Sequence, residues 1–280
     1  MKSYIGENKS VKVGLLAGYG QLPSIAIKNL KAEGHFVVTI AFNEEINTDL
    51  SSASDKIYTF SVGQAGKVLK TLEKESVEAV LFAGKINKSL LYSNLKLDLF
   101  SINVLMHLKD RKDDTIMLKI VELLEERGIH VLRQVDIFKD LIVEEGVLTK
   151  KKPTKNELKD IEFGFEIAKE IGRLDIGQTV VVKDMAVMAV EAIEGTDETV
   201  KRGCLYAKKD AVVVKVAKPS QDLRFDVPTV GVDTLKNMND NGGKVLALES
   251  GRTFVVNKEE CVEFANKNNM IIVGLKRGKE

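Results

Sequence analysis

Residues 11–23 read VKVGLLAGYGQLP, an apolar run that closes on a glycine-rich turn and Pro23. An apolar run of this length, bounded by turn residues, predicts a buried strand over Val11–Gly18. A helix follows over Leu22–Gly34, with Ile25, Ile27 and Leu30 on its apolar side and Pro23 in its first turn. Outward from this unit the pattern repeats. His35–Phe42 (HFVVTIAF) reads as a second strand, Lys56–Val62 as a third, Gln64–Ser76 as a helix and Glu78–Ala83 (EAVLFA) as a fourth strand. Continuous apolar strands separated by helices predict an α/β fold whose parallel sheet is covered on both faces, Rossmann-like in outline.

Residues 88–128 are helical in pattern. Asp113 and Asp114 open the clearest helix there, where acidic residues suit the dipole, and Gly128 stands as its C-terminal stop. Ile129–Phe138 returns to strand. The stretch EEGVLTKKKPTKNE, with Lys150 to Lys152 and Pro153, reads as a solvated connector. The expected organisation is a Rossmann-like domain over residues 1–140, a linker over 141–155 and a C-terminal α+β domain over 156–280. In that second domain, strands are expected at Thr179–Lys183, Val187–Ile193, Ala211–Ala217, Lys244–Leu248, Thr253–Val256 and Ile271–Leu275. Helices are expected near 157–171, 197–208, 232–240 and 258–267, with Thr154/Glu157 and Asn257/Glu260 as cap signatures. No internal repeat is present.

The composition sets bounds. A chain of 280 residues is about twice the usual length of one domain. Hydrophobic residues at 44% and charged residues at 30% supply real cores and exclude a disordered chain. Lys and Arg number 42 against 41 Asp and Glu, and neither half of the chain has the cationic excess of a nucleic-acid footprint. Cys204 and Cys261 make no disulfide framework, lack a CxxC metal spacing, and sit in helical patterns that favour a structural role over a nucleophilic one. The start, MKSYIGENKS, is too polar for a secretory segment, and no apolar run approaches the roughly 20 residues that cross a bilayer. A cytoplasmic protein is expected.

Gly14, Gly18 and Gly20 fall between the first strand and the first helix, where glycine lets the backbone approach a ligand and a helix N-terminus offers N–H groups to an anion. The dinucleotide fingerprint GxGxxG is broken, because Pro23 takes the third position. Glu44 or Glu45, after the second strand, lies near the place of a ribose-binding acid. A nucleotide is indicated, nicotinamide not specifically; a tight turn made for packing is the plainer alternative.

The second chemical signal is KPSQDLRFDVPTVGVDT, residues 218–234. Pro219 and Pro228 bracket Gln221, Asp222, Arg224 and Asp226 and make a regular helix unfavourable. In an extended segment Asp222, Arg224 and Asp226 share one face, with Leu223 and Phe225 inward. Two carboxylates on one face seat Mg²⁺, which takes oxygen ligands, waters and phosphates. Arg224 and Lys218 would receive phosphate oxygens. A surface strand carrying a row of ion pairs is the alternative.

Glu191 interrupts the apolar run AVMAVEAI and is either an outward position or a site residue, while Asp197 reads as a helix N-cap. His35, His107 and His130 have no metal-binding spacing, and neither GxSxG nor GxxxxGK[ST] occurs.

Six segments in order carry a resemblance: LAGYGQLP at 16–23, FAGKI at 82–86, DRKDD at 110–114, GQTVVV at 177–182, AVEAIEGTD at 189–197 and KPSQDLRFDVPTVGVDT at 218–234. With these the chain closely resembles the LpxI-type UDP-2,3-diacylglucosamine diphosphatases of lipid A biosynthesis. The resemblance implies Mg²⁺-dependent hydrolysis of the substrate pyrophosphate to UMP and 2,3-diacylglucosamine 1-phosphate (lipid X), with Mn²⁺ as a further candidate ion. It implies a UDP portion held by the N-terminal domain and a substrate lying between the domains. Carried over by motif, Gly18, Tyr19, Gly20, Gln21, Gly84, Lys85, Glu191, Thr196, Asp197 and Lys218 would bind substrate. Asp222, Asp226, Arg224 and Gln221 would form the catalytic group, with Asp222 and Asp226 as metal ligands. Met185 departs from a glycine-type turn residue. The apolar region Leu90, Leu91, Leu95, Leu97, Leu99, Phe100, Val104, Leu105 and Met106 is a candidate acyl groove, although ordinary core is the simpler reading. Transient contact with the inner leaflet and a homodimer fit such a substrate. The competing readings are an NAD(P)-dependent oxidoreductase and a non-catalytic nucleotide-binding module.

Overall fold

The computed structural model describes residues 10–43, 50–85, 97–106 and 113–276. Two compact units result: Met1–Phe138 together with Leu223–Phe225, and Lys139–Asp222 together with Asp226–Glu280.

In the first unit, Lys12–Ala17 (β1), Leu22–Ala32 (α1), Phe36–Phe42 (β2), Lys56–Phe60 (β3), Ala65–Lys74 (α2) and Ala79–Ala83 (β4) follow the predicted order. Leu99–Met106 (α3), Asp113–Glu125 (α4) and His130–Val131 (β5) complete it, before a single turn at Gln134–Ile137 (α5). The strands pair in the order β3-β2-β1-β4-β5, all parallel. Their apolar runs are continuous because helices cover the sheet: Leu69 and Leu72 of α2 and Val121 and Leu124 of α4 pack with Leu16, Val38, Ile40 and Val80. Gly128, at φ +73°, lies just beyond α4 as expected.

The strand expected over Ile129–Phe138 is cut short. After Val131 the chain leaves the sheet, because Gln134 is buried and its amide donates to the Phe82 carbonyl of β4 at 2.9 Å. Glu44, Glu45, Leu90, Leu91, Leu95 and His107, and the side chains of Asp113 and Asp114, lie outside the described residues.

The second unit opens with a 3₁₀ turn at Lys139–Leu141 and contains Gly146–Val147 (β6), Lys155–Arg173 (α6), Thr179–Lys183 (β7), Ala186–Val190 (β8) and Thr196–Ala207 (α7). Ala211–Lys215 (β9), Thr229–Val230 (β10), Val232–Asp240 (α8), Gly243–Glu249 (β11), Phe254–Val255 (β12), Lys258–Lys267 (α9) and Ile271–Leu275 (β13) follow. Its main sheet has the order β6-β13-β11-β9-β7-β8, with β9, β11 and β13 parallel and β6 and β7 antiparallel to their neighbours. Strand alternation divides the core. Val180, Val182, Val212 and Val214 meet Ile161, Phe165 and Ala168 of α6, while Val181, Val213 and Leu246 meet Val200, Cys204, Leu235 and Met238 of α7 and α8.

Residues 141–155, expected as a linker, are built into this unit instead. Val143 is fully buried, its N–H donates to the Thr253 carbonyl, and β6 adds a strand to β13. The lysine run is only the outer edge of that segment. The Thr154–Glu157 capping box forms as expected. Asn257 takes the N-cap position of α9 in the left-handed region, but its amide donates to Glu260 rather than its oxygen capping the helix. At Asp184–Met185 the β7–β8 turn puts both residues at positive φ, +51° and +60°. The buried Asp160 carboxylate accepts from both backbone N–H groups, at 3.0 and 2.7 Å, and holds a turn that favours glycine.

Candidate active site

In the sheet of the first unit, β1 lies at the centre and the chain reverses its direction of travel between β1 and β4. Open parallel sheets bind ligands outside the carboxyl ends of the strands at this point. There the loops after β1 and β4 are locked together: Tyr19 N–H donates to the Lys85 carbonyl at 2.7 Å and Lys85 N–H returns the bond to Tyr19 at 2.9 Å. Gly18 donates to the Ala83 carbonyl at 2.9 Å, and a side chain on it would strike the Lys85 carbonyl oxygen at 2.5 Å. Gly84, at φ +91°, has the Gly18 and Tyr19 backbone 2.8 Å from where a Cβ would stand. These two glycines are therefore required by loop-to-loop approach. Gly20, at φ +106°, has open space beside it. The Tyr19 side chain is 53% exposed, Lys85 is exposed, and Gln21 stands at the N-cap of α1 without a side-chain cap bond. Gly18, Tyr19, Gly20, Gln21, Gly84 and Lys85 thus stand together in the two paired loops after β1 and β4.

The loop from Lys218 to Val227 is not extended. Asp226 N–H donates to the Asp222 carbonyl at 3.0 Å and closes a turn over Leu223, Arg224 and Phe225. Asp222, Arg224 and Asp226 therefore do not line one face of a strand. Leu223–Phe225 joins the first unit, where the Leu223 carbonyl accepts from Gln134 N–H at 2.8 Å. Phe225 stands edge-on to Phe82, with ring centroids 6.4 Å apart. Arg224 pairs with Glu125 at 3.0 Å and Lys218 with Asp175 at 2.5 Å, so each expected phosphate ligand already meets a carboxylate. Gln221 is the organiser of the loop. Its Oε1 accepts from Lys218 N–H at 2.8 Å and its Nε2 donates to the Asp226 carboxylate. As hard oxygen donors in a short turn, Asp222 and Asp226 suit a divalent cation that takes its remaining ligands from water and phosphate. No cluster of three or more His, Cys, Asp or Glu able to hold a metal occurs among the described residues.

The LpxI N-terminal domain model matches residues 12–141 and the LpxI C-terminal domain model residues 144–273. The chain belongs to the LpxI family. A relative of the family, the UDP-2,3-diacylglucosamine pyrophosphatase LpxI of Caulobacter vibrioides, is 29% identical over 94% of this chain and 97% of its own. Among solved structures, the biotin carboxylase domain of Hydrogenobacter thermophilus 2-oxoglutarate carboxylase aligns over 64% of this chain at 16% identity and a TM-score of 0.29. Biotin carboxylase from Campylobacter jejuni aligns over 71% at 10% identity and a TM-score of 0.30. The LpxI chain spans 36% and 42% of the length of those two proteins.

Two buried charge networks of this LpxI chain lie at the carboxyl ends of β9 and β11. Glu191, only 8% exposed, accepts from Thr196 Oγ1 at 3.0 Å, while Lys215 donates to that same hydroxyl at 2.6 Å. Burial alone would raise the Glu191 carboxyl. The Lys215 charge, the Thr179 and Thr196 hydroxyls and the Gln178 N–H together outweigh it and hold the group below its ordinary value of 4.5. Glu191 is therefore an ionised, buried network member rather than an outward position. Asp197 is not the N-cap of α7; Gly195 is, at φ +81°, and Asp197 sits in the first turn with Glu198, where negative charge suits the dipole. On the opposite sheet face Lys169 donates to both Glu249 oxygens, at 3.1 and 3.0 Å, and to the Ala217 carbonyl at 2.8 Å. Glu249 also accepts from Ala217 N–H at 2.8 Å. The pair thus holds both backbone groups of the residue before Lys218. Lys215, Lys169 and Glu249 escaped the sequence reading, although a lone lysine in the run AVVVKVA was an available signal.

Proposed function

We propose that the chain hydrolyses the pyrophosphate of UDP-2,3-diacylglucosamine, releasing UMP and 2,3-diacylglucosamine 1-phosphate in lipid A biosynthesis, with Mg²⁺ as cofactor and Mn²⁺ as a substitute. The observation that carries this is the end-to-end match to a pyrophosphatase of that specificity, 97% of which is covered. The uridine nucleotide binds at the β1–β4 crevice, where Tyr19, Gln21 and Lys85 offer exposed side chains and Gly20 leaves room beside the backbone. Asp222 and Asp226 would hold the metal, with Gln221 orienting Asp226 through its amide. The bound metal would neutralise phosphate charge and lower the pKa of a water molecule. Hydrolysis forms one P–O bond from water oxygen to phosphorus and breaks the bond from that phosphorus to the bridging oxygen. Glu191, Thr196 and Lys215 hold the β8–α7 turn that leads into the first turn of α7, where Asp197 stands.

The acyl chains have a fitting surface in α3. Leu99 and Met106 are 87% and 70% exposed, so the simple core reading fails for them, while Phe100 packs inward. Acyl docking or transient contact with the inner leaflet would cover these side chains. Among the described residues no helix is long and apolar enough to cross a membrane.

The test is UMP release from UDP-2,3-diacylglucosamine with Mg²⁺, with Mn²⁺ and with EDTA. Metal-dependent release of UMP with lipid X is expected, and Asp222→Ala and Asp226→Ala should each lower it by at least about 100-fold. Full activity in both variants removes the metal assignment, and no release with any metal removes the hydrolase reading.

A further inference from the structure

Both cations first expected to meet phosphate are spent on carboxylates, Lys218 on Asp175 and Arg224 on Glu125. A third cation stands beside the same loop and is not. Arg252 follows β11 in a turn that is itself pinned: Ser250 N–H donates to the Leu275 carbonyl at 2.7 Å and Gly251 N–H to the Val143 carbonyl at 2.8 Å. Its Nε is shielded from solvent and has no hydrogen-bond partner among the described residues. Its Nη2 reaches the Lys218 carbonyl oxygen only at 3.5 Å, the outer limit of a hydrogen bond. No carboxylate pairs with it among the described residues, unlike the other cations of this edge.

A guanidinium taken partly out of water without an anion is costly, and a donor left unmade inside the protein adds to that cost. Such a group persists where a ligand completes it. The paired donors of a planar guanidinium match two oxygens of a phosphate, which a lysine ammonium cannot do. Lys218 and Arg252 also stand together, both following the carboxyl ends of the neighbouring parallel strands β9 and β11. We infer that Arg252 is a phosphate-binding residue of the active site, gripping the diphosphate of the substrate beside the Lys218–Asp226 loop. The inference rests on the diphosphatase reading above and adds to it the residue that meets the anion.

The experiment compares the full chain with Arg252→Lys, Arg252→Gln and Arg252→Ala. One arm measures kcat/KM for UMP release. The other measures protection against thermal unfolding by inorganic pyrophosphate in EDTA, which needs neither metal nor turnover. Expected are a loss of about 100-fold or more in kcat/KM for the Gln and Ala variants, partial retention in the Lys variant, and loss of pyrophosphate protection. Added guanidinium ion should restore part of the Ala variant's activity. Should the Ala variant fail to fold, the Lys and Gln variants decide. Unchanged kcat/KM in the Gln variant overturns the inference, as does lost activity with pyrophosphate protection intact. A wild type that is inactive on the lipid substrate but protected by pyrophosphate, with protection lost in the Gln variant, removes the diphosphatase reading and leaves the phosphate site standing.

Discussion

Glu191 shows what one charged residue does when an apolar strand carries it inward. Its carboxylate is ionised because Lys215 and two threonine hydroxyls more than offset the cost of burial. A carboxyl held below its unfolded value contributes stability that is present above that value and lost as the pH falls through the folded one. Glu191→Gln should therefore be less stable than the wild type above about pH 4.5, with the gap shrinking as the pH drops further. Denaturant midpoints across pH 3–7 would show this, and a gap independent of pH would remove the charge pairing. The two cysteines behave in the opposite way. Burial pushes the thiols of Cys204 and Cys261 up to about 11, with Glu260 and Asp233 adding to the effect at Cys261. Both should resist a thiol reagent at neutral pH in the native chain and react on unfolding; prompt native reaction of either would contradict their structural role.

At the scale of elements, the Lys169–Glu249 pair ties α6 to β11 and holds the end of β9 where the Lys218–Asp226 loop begins. With side chains only 9% and 6% exposed, the pair tolerates poorly the loss of one partner. Glu249→Ala should cost about 3–5 kcal/mol by removing the carboxylate that meets a buried ammonium. The double variant Lys169→Met, Glu249→Leu should unfold at higher denaturant than Glu249→Ala, since neither remaining group is charged. Equal midpoints would mean the Ala217 backbone bonds, not the charge, carry the effect. Most elements were legible in the sequence: α8 and α9 have the predicted bounds because their apolar spacing and turn residues agree. At two elements what misled was a group satisfied from far along the chain. Gln134 ended a strand by bonding to Phe82, and β6 hid in a stretch whose lysines look like a connector.

For the whole molecule, the main consequence is that the first unit is not continuous in sequence. Leu223–Phe225 belongs to it although 84 residues of the second unit (Lys139–Asp222) come between. Phe225→Ala should thus destabilise the first unit by about 1–3 kcal/mol, less than a fully buried phenylalanine because Phe225 is half-buried. Amide exchange should quicken in β4, around Phe82, more than in β7 or β9 of the second unit. The reverse pattern would place the residue energetically with its sequence neighbours.

The sequence by itself determined the α/β class, the two-part organisation and the family, because apolar periodicity, glycine turns and six motifs in register are local properties of the chain. It also singled out Gln221, Asp222, Arg224 and Asp226 as one group. Only the tertiary structure decided how that group is shaped. Asp222 and Asp226 close a turn instead of lining a strand, Arg224 and Lys218 meet Glu125 and Asp175, and Arg252 meets no carboxylate among the described residues. Those outcomes depend on which distant side chain satisfies which buried charge, and a desolvation cost has no signature in spacing.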